Sequence, residues 1–226
     1  MIQAKKSATF ERAFALYLIP LIKKSFSRVL LQNPQPVPGQ PVLFIANHSS
    51  WWDGLIFFFL NKTIWHHDIH MMMHEEGLKK YPYFRFLGAF SLNRKNPKDI
   101  LESLQYAEQL LKQGKTVVLF PQGDEFHQEI RPLKFQSGVV YLLERCQDVP
   151  IVPLSFYYSF GHEQKPDLWI RQGALLKYSG LEGSSRKEKT AFLQTSLTAQ
   201  LDALKQVTIE ENAEGFQDLK KRGKRS

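Results

Sequence analysis

The feature that most constrains the fold of this chain is a regular alternation of short apolar runs with helical segments between residues 42 and 171. Each apolar run is only as long as an ordinary buried strand. We predict strands at residues 42–46, 69–73, 116–120, 151–156 and 167–171, and helices at 54–60, 96–113, 135–146 and 187–205. Because strands that alternate with helices build α/β layers, the prediction is a single α/β domain with a mixed, largely parallel sheet flanked by helices.

The N-terminal segment, residues 1–32, is predicted to be an amphipathic helical segment that associates with membranes. Apolar residues recur at helical intervals between residues 10 and 31, basic residues lie between them, and Pro20 is expected to kink or split the helix. The proline-rich stretch NPQPVPGQP, residues 33–41, then leads into the main domain, predicted for residues 40–206. Residues 207–226 are predicted to form a basic, disordered tail. No run reaches the roughly 18 apolar residues of a membrane-spanning helix, so we expect surface attachment.

The net charge of the chain favours a polyanionic partner. Lys and Arg number 30 against 22 Asp and Glu, which gives +8 and leaves nucleic acid and anionic lipid as candidates. The 17 Phe residues outnumber 8 Tyr and 4 Trp, which favours apolar burial over base stacking. We therefore expect a membrane lipid surface as partner and no nucleic acid. Cys146 is the only cysteine, which excludes an internal disulfide and suits a peripheral protein on the cytoplasmic side of the cell membrane.

The segment NHSSWWD, residues 47–53, carries a candidate catalytic pair. His48 and Asp53 are five residues apart, at the predicted turn from a strand into a helix. Across such a turn the carboxylate can hold one ring nitrogen of the histidine and leave the other free to take a proton from a hydroxyl. Ser50 and Asp53 also fit a helix capping box, so a purely structural role for Asp53 is the alternative.

The segment VVLFPQGD, residues 117–124, is a predicted strand that ends in Pro-Gln-Gly. A strand that stops at a glycine turn can present backbone N–H groups to a developing oxyanion, as attack on a thioester requires. An ordinary strand followed by a turn explains the segment equally well when it is considered alone.

Four blocks, in this order, resemble the glycerolipid acyltransferases that form lysophosphatidic acid and phosphatidic acid. NHSSWWD is similar to the family's N-H-x-x-x-x-D block, and GAFSLNR, which ends at Arg94, is similar to its second block. FPQG, residues 120–123, is similar to the F-P-E-G block, and VPIVPLSF, residues 149–156, is similar to the closing strand. The resemblance covers residues 40–160.

This resemblance implies an O-acyltransferase that acts on a lysophospholipid-like acceptor. His48, paired with Asp53, would deprotonate the acceptor hydroxyl, which would attack the thioester of acyl-CoA or of an acyl carrier protein directly. Backbone N–H groups at and near Gly123 would stabilise the oxyanion. No metal and no further cofactor are expected. The expected substrate-binding residues are Asn47, Arg94, Phe120, Pro121, Gln122, Gly123 and Lys134.

The chain departs from the family pattern at the third block. Gln122 stands where the family has Glu, and Asp124 and Glu125 begin the stretch where the family has Thr-Arg-Ser. Two added carboxylates should weaken a phosphate site, although Arg94 and Lys134 remain as cations. An unphosphorylated acceptor, such as a glycolipid or a carotenoid glycoside, is therefore a second hypothesis. A non-catalytic lipid-binding module of the same fold is a third hypothesis, and a hydrolase that passes the acyl group to water is a fourth.

Two further patterns have ordinary explanations. The cluster His66, His67, Asp68, His70 and His74 matches no strong zinc motif, so we expect no metal there. The apolar residues 55–60 are expected to be core, with the lining of an acyl groove as the alternative.

Overall fold

The strands of the chain lie in one mixed sheet in the computed structural model, which describes residues 1–32, 35–39 and 41–221. The strands are β1 (Val29–Gln32), β2 (Leu43–Ala46), β3 (Ile69–His74), β4 (Ala89–Leu92), β5 (Thr116–Leu119), β6 (Ile151–Ser159), β7 (Asp167–Gln172) and β8 (Phe216–Asp218). The α-helices are α1 (Ala8–Ser25), α2 (Trp52–Leu60), α3 (Glu75–Lys80), α4 (Pro97–Lys112), α5 (Gly138–Arg145) and α6 (Arg186–Ile209). A π-helical turn, Asn61–Trp65, prolongs α2, and 3₁₀ turns span Pro82–Leu87 and Tyr178–Gly180.

The strand order, β4-β3-β5-β2-β6-β7-β1-β8, places β2 near the centre of the sheet. The pairs from β4 to β6 are parallel, as is β7 with β1, whereas β6 with β7 and β1 with β8 are antiparallel. The predicted α/β fold with a largely parallel sheet is confirmed. Because β2 and β5 are parallel neighbours, the loops that follow Ala46 and Leu119 emerge side by side at the carboxyl edge, where ligands bind in such sheets.

Each face of the sheet has its own apolar core, because successive strand residues point to opposite sides. On one face, Phe44 and Val118 pack with residues of α1 and α2; we call it the α2 face. On the other, Leu43 and Ile45 pack with residues of α4 and α5; we call it the α4 face. The helices cover both faces, so the central strands are buried throughout, as parallel strands require.

The ends of two helices follow local capping chemistry. Asn96 caps α4 by accepting a hydrogen bond from the Lys98 N–H at 3.1 Å, and Gly114 follows the helix with a positive φ of 78°. A capping box formed by Ser185 and Glu188 starts α6. These local signals explain why both helices were predictable from the sequence.

The N-terminal boundary predicted from the sequence is wrong. The helix ends at Ser25, and Val29–Gln32 forms β1, which runs parallel to β7 inside the sheet. The domain therefore begins before the proline-rich stretch and not at residue 40. The three consecutive buried residues of β1 are apolar and follow the helix directly, so the sequence pattern did not distinguish them from the apolar face of the helix. Helix α1 continues through Pro20 and does not split there. Residues 33, 34 and 40 of the connector lie outside the described residues.

The predicted tail is also wrong where the structure describes it. Helix α6 continues to Ile209, and β8 pairs antiparallel with β1 between Phe216 and Asp218. Leu219 is buried beside this strand. Residues 207–221 therefore belong to the domain, because they cover the exposed edge of β1. The expectation of disorder for residues 222–226 falls outside the described residues.

Candidate active site

His48 and Asp53 meet in the loop between β2 and α2. The strand ends at Ala46 and the helix begins at Trp52, so the chain reverses and brings the carboxylate back to the imidazole. Nδ1 of His48 lies 2.9 Å from Oδ2 of Asp53. With a proton held on Nδ1 by the carboxylate, Nε2 is the nitrogen that can accept a proton from a substrate.

Asp53 is fully buried, and its carboxylate is held by several donors. Oδ2 accepts the N–H groups of Ser49 at 2.7 Å and Ser50 at 3.0 Å in addition to the histidine contact. Oδ1 accepts the hydroxyl of Tyr158 at 2.6 Å. A buried carboxylate is stable only with such partners, so the loop is built to keep Asp53 in one position against His48.

Only half of the capping-box interpretation is supported: Oδ2 of Asp53 accepts the Ser50 N–H at 3.0 Å, but the Ser50 hydroxyl bonds a different N–H. The hydroxyl of Ser50 accepts the N–H of Trp52 at 3.2 Å, and Asp53 donates its own N–H to the backbone carbonyl of Ser50. The residue before the helix, Trp51, makes no side-chain cap. The local geometry therefore favours the paired interpretation, in which Asp53 orients His48.

Tyr158 is a site residue that the sequence did not reveal. It lies near the end of β6, 105 residues beyond Asp53, and no local pattern marks it. Burial, together with the Asp53 carboxylate, raises the pKa of the Tyr158 phenol well above its usual value. The phenol therefore keeps its proton and remains a hydrogen-bond donor to Asp53.

The third block packs directly against His48. The ring of Phe120 stacks on the imidazole with centroids 4.2 Å apart. Gln122 is buried, and its Oε1 accepts the backbone N–H of His48 at 2.8 Å. The carbonyl of Pro121 accepts the N–H of Gln136 at 2.8 Å. Phe120 and Pro121 line the cleft beside His48. Gln122 is not among the described residues that line the cleft, and it holds the loop after β2 through the backbone of His48.

The N–H of Gly123, predicted to stabilise an oxyanion, is already bonded in this geometry. Gly123 has a φ of 75°, and its N–H donates to the carbonyl of Phe120 at 2.9 Å, which closes a turn. The adjacent N–H groups of Gln122 and Asp124 donate no hydrogen bond within the described part of the chain. Gly123 is needed for the turn, because a positive φ strains other residues.

Arg94 lies at the rim of the cleft, as the second block predicts, but it is already paired. Its Nη1 donates to the carbonyl of Gly123 at 3.0 Å and to Oδ2 of Asp124 at 3.2 Å. Glu125, the next residue, places Oε1 3.7 Å from Nε2 of His48. The carboxylate of Asp124 therefore lies beside Arg94, and the carboxylate of Glu125 lies beside His48.

Two residues predicted to bind substrate have other positions. Asn47 is buried, and its side-chain amide makes two hydrogen bonds with the backbone of Phe156, at 3.0 and 2.8 Å, which tie the end of β2 to β6. Lys134 is exposed and is not among the described residues that line the cleft. The structure thus uses the Asn47 amide within the fold and places Lys134 outside the cleft lining, and their substrate-binding roles remain predictions.

A cleft of about 820 Å³ opens at His48 and straddles the carboxyl edge of the sheet. Met71 and Met72 are consecutive in β3 and point to opposite faces, yet both line the cleft. On the α2 face the lining includes Gly54, Leu55, Phe58, Met73 and Phe84, and on the α4 face it includes Leu92, Ile100, Leu101, Leu104 and Val139. The cleft therefore offers long apolar walls that converge on the His48–Asp53 pair, which suits hydrocarbon chains.

The predicted helix at residues 54–60 contributes side chains to both the core and the cleft. Leu55 and Phe58 line the cleft, whereas Ile56, Phe57 and Phe59 are fully buried in the core of the α2 face. The helical period explains this division, because residues three apart share a face.

The histidine cluster does not converge on one point. His70 is buried in β3, and the ring of His67 contacts the Thr116 hydroxyl at 3.1 Å. Among the described residues, no group of three or more His, Cys, Asp or Glu side chains is arranged to hold a metal ion. Burial is the largest effect that lowers the pKa of His70, to about 4.

Comparisons with known proteins agree with these observations. The family model described as "Acyltransferase" matches residues 28–157. A probable 1-acyl-sn-glycerol-3-phosphate acyltransferase of Mycoplasma pneumoniae is 27% identical over 157 residues, which are 68% of this chain and 58% of that protein. A 1-acyl-sn-glycerol-3-phosphate acyltransferase of Streptococcus pneumoniae is 24% identical over 163 residues, 67% of this chain and 57% of that protein. The chain thus spans less than two thirds of the length of these relatives.

A solved structure shares the fold. The 1-acyl-sn-glycerophosphate acyltransferase PlsC of Thermotoga maritima superimposes with a TM-score of 0.59 over 86% of this chain and 82% of that protein, at 17% sequence identity. At this identity the likeness concerns the fold alone, and the roles of individual residues rest on the contacts described above.

Proposed function

Because this chain belongs to the acyltransferase family, we propose that it transfers a fatty acyl group from a thioester donor to a hydroxyl of a lysophospholipid-like lipid acceptor. The acceptor class follows the names of the relatives. One observation carries the proposal: a buried, fully bonded carboxylate holds Nδ1 of His48 at 2.9 Å while the same ring lines a cleft with long apolar walls.

The proposed reaction is a direct transfer. Nε2 of His48 takes the proton of the acceptor hydroxyl while the hydroxyl oxygen attacks the thioester carbonyl. The new C–O bond forms, the C–S bond breaks, and the protonated imidazole returns its proton to the departing thiolate. Asp53 stabilises the imidazolium and Tyr158 keeps Asp53 in place. The N–H group of Asp124, which lines the cleft, takes the oxyanion role in this proposal, since that of Gly123 is bonded within its turn.

The donor is acyl-CoA or an acyl carrier protein. Both are acidic thioester carriers, and the net charge of +8 suits either of them. No metal or cofactor takes part in the proposed reaction.

We also propose that the protein acts while attached to a membrane surface. No helix in the described part of the chain is long and apolar enough to cross a membrane. Large apolar side chains exposed to solvent form what we call the aromatic patch: Leu16, Tyr17, Trp51, Tyr83 and Phe86. Ring contacts of 4.8 to 6.5 Å connect Trp51 with Tyr17 through Tyr81, Tyr83, Phe84 and Phe14. Such side chains are enriched where proteins meet the lipid interface, and Trp51 also lines the cleft.

An unphosphorylated acceptor is the second candidate, and a specific contact favours it. The guanidinium of Arg94, expected to hold a phosphate, already bonds Asp124 at 3.2 Å. A cation paired in this way is less available to a phosphate than a free one.

The first experiment is thiol release from acyl-CoA and from an acyl carrier protein, with single-chain lipid acceptors, in wild type and His48→Ala. We expect turnover that requires an acceptor and that falls by about 10²- to 10⁴-fold in the variant, the usual contribution of a general base. His162→Ala is the matched control, because His162 is 86% exposed and is not among the described residues that line the cleft.

Three different results would each point to a different function. Thiol release that needs no acceptor would indicate a hydrolase. A folded wild type that binds lipid but releases no thiol with either donor would indicate a non-catalytic module. Unchanged turnover in His48→Ala would refute the general-base role.

A further inference from the structure

The acceptor side of the cleft has an unusual charge arrangement for an enzyme of phosphate-bearing lipids. A hydroxyl within hydrogen-bond reach of His48 Nε2 must lie beside Glu125, whose Oε1 is 3.7 Å from that nitrogen. The Glu125 side chain is 52% exposed, so it is free to meet a substrate. A carboxylate is an acceptor-only group, and a second hydroxyl on the carbon next to the reacting one can donate to it.

Arg94, the cation that could pair with a phosphate, is already bonded to the carboxylate of Asp124. Nη1 of Arg94 is shared between the carbonyl of Gly123 and the carboxylate of Asp124. The carboxylates of Asp53, Asp124 and Glu125 therefore outnumber this guanidinium close to the reacting hydroxyl. A phosphate monoester carries about 1.5 to 2 negative charges at neutral pH and would meet this surplus of negative charge.

The other cations that line the cleft are placed differently. Arg186 is paired with Glu144 at 2.5 Å, and the ammonium of Lys80 lies 5.3 Å from the ring of Tyr81. In the described part of the chain, neither makes a hydrogen bond or ion pair with His48, Asp124 or Glu125.

We infer that Asp124 and Glu125 select an uncharged, hydroxyl-rich acceptor head group and disfavour a phosphate monoester. The inference rests on the proposed acyl transfer and, of its two candidate acceptor classes, selects the unphosphorylated one over the lysophospholipid. Glu125 accepts a hydrogen bond from the hydroxyl adjacent to the reacting one. Asp124 pairs with Arg94 and so makes its guanidinium less available to a phosphate. Glu125 is thus a specificity-determining residue of the acceptor site, and Asp124 acts through Arg94.

The test uses two acceptors that differ only in phosphate: a monoacylglycerol and the same monoacylglycerol 3-phosphate, each with one fixed thioester donor. We expect wild type to show a kcat/KM for the unphosphorylated acceptor at least about tenfold higher. In the double variant Asp124→Asn with Glu125→Gln, this ratio should shift by at least about tenfold toward the phosphate, mainly through the KM of the acceptor. Both changes preserve side-chain shape at exposed positions, so folding should be retained.

The control variant, Glu163→Gln with Glu182→Gln, removes the same charge from exposed positions that are not among the described residues lining the cleft. It should leave the ratio at the wild-type value. A wild type that prefers the phosphate, or a ratio that the double variant does not move, would overturn this inference while the acyl transfer stands. Absence of turnover with both acceptors would instead overturn the proposed function.

Discussion

At the scale of single residues, the site depends on groups that hold His48 from three sides. Asp53 binds Nδ1, Phe120 stacks on the ring, and Gln122 accepts the backbone N–H. The replacement of the family Glu by Gln122 is compatible with this role, because the contact needs an acceptor oxygen and both side chains have one.

The role of Gln122 can be tested by a matched pair of substitutions. Gln122→Leu leaves the His48 N–H without its acceptor, which should cost about 1–3 kcal/mol of stability and lower turnover by about tenfold or more. Gln122→Glu keeps the oxygen, and its turnover should stay within a few-fold of wild type. Thermal denaturation and thiol release on the two variants measure both effects; equal turnover in the two would show that the contact is dispensable.

At the scale of elements, the parallel arrangement of β2, β5 and β6 brings the separate sequence blocks together. Asn47 ties the end of β2 to β6 through Phe156, and the loop after β5 packs against the loop after β2. Helix α2 then separates core from cleft: Ile56 faces the core, and Gly54 and Phe58 face the cleft.

The absence of a side chain at Gly54 should leave room for a long acyl chain on the α2 face. A Cβ added at Gly54 would lie 3.3 Å from Sδ of Met71, so a larger side chain would enter the cleft. We expect Gly54→Leu to lower turnover of long-chain donors relative to short-chain donors by about tenfold or more, with Gly54→Ala close to wild type. A series of acyl-CoA lengths measures this; an unchanged length profile in Gly54→Leu would place the acyl chain elsewhere.

A second prediction at this scale concerns His70 in β3. Neither ring nitrogen makes a hydrogen bond within the described part of the chain, although Nε2 lies 3.4 Å from Oδ1 of Asp68. The pKa of His70 is lowered from 6.5 to about 4, chiefly by burial. The neutral form is favoured in the folded state, so stability is fully present above pH 6.5 and is lost as the pH falls from 6.5 towards about 4. At pH 5 the protonation of His70 should lower the free energy of unfolding by about 2 kcal/mol relative to pH 7.

Urea denaturation at pH 7 and pH 5 measures this loss in wild type and in His70→Leu. Between pH 7 and pH 5, the free energy of unfolding should fall by about 2 kcal/mol less in His70→Leu than in wild type. The control His162→Leu removes an exposed histidine and should behave as wild type does. An equal decrease in all three proteins would show that other groups cause the acid sensitivity.

At the scale of the whole molecule, the cleft and the aromatic patch share Trp51. Trp51 is 48% exposed and lines the cleft, and Tyr17 and Leu16 of α1 extend the exposed apolar surface. A lipid surface that covers this patch would therefore lie beside the entrance to the cleft, which would allow a lipid acceptor to enter without crossing water.

Membrane attachment should depend on the aromatic patch. We expect Leu16→Glu with Tyr17→Glu to reduce binding to vesicles that contain phosphatidylglycerol by about tenfold or more, because two exposed apolar side chains become charged. Turnover of a short-chain, water-soluble acceptor should be unchanged. Ile209→Glu changes an exposed apolar residue of α6 and serves as the control in a vesicle flotation assay. Unchanged vesicle binding in the double variant would move the membrane contact to another surface.

The sequence alone determined strands β2, β3, β5, β6 and β7, helices α2, α4, α5 and α6, and the pairing of His48 with Asp53. Each of these depends on residues close together in the chain: apolar periodicity, capping signals such as Asn96, and a turn that returns a side chain over five positions. The family blocks could be recognised for the same reason, because each is a short contiguous segment.

The tertiary structure alone decided the partners that come from distant parts of the chain. Tyr158 reaches Asp53 across 105 residues, and Gln122 reaches His48 across 74. β1 and β8 enter the sheet because their neighbours are strands far away in sequence, which no local pattern of apolar residues encodes. The bonded N–H of Gly123 and the pairing of Arg94 with Asp124 are likewise visible only where the loops after β4 and β5 meet, because hydrogen-bond partners are set by proximity in space.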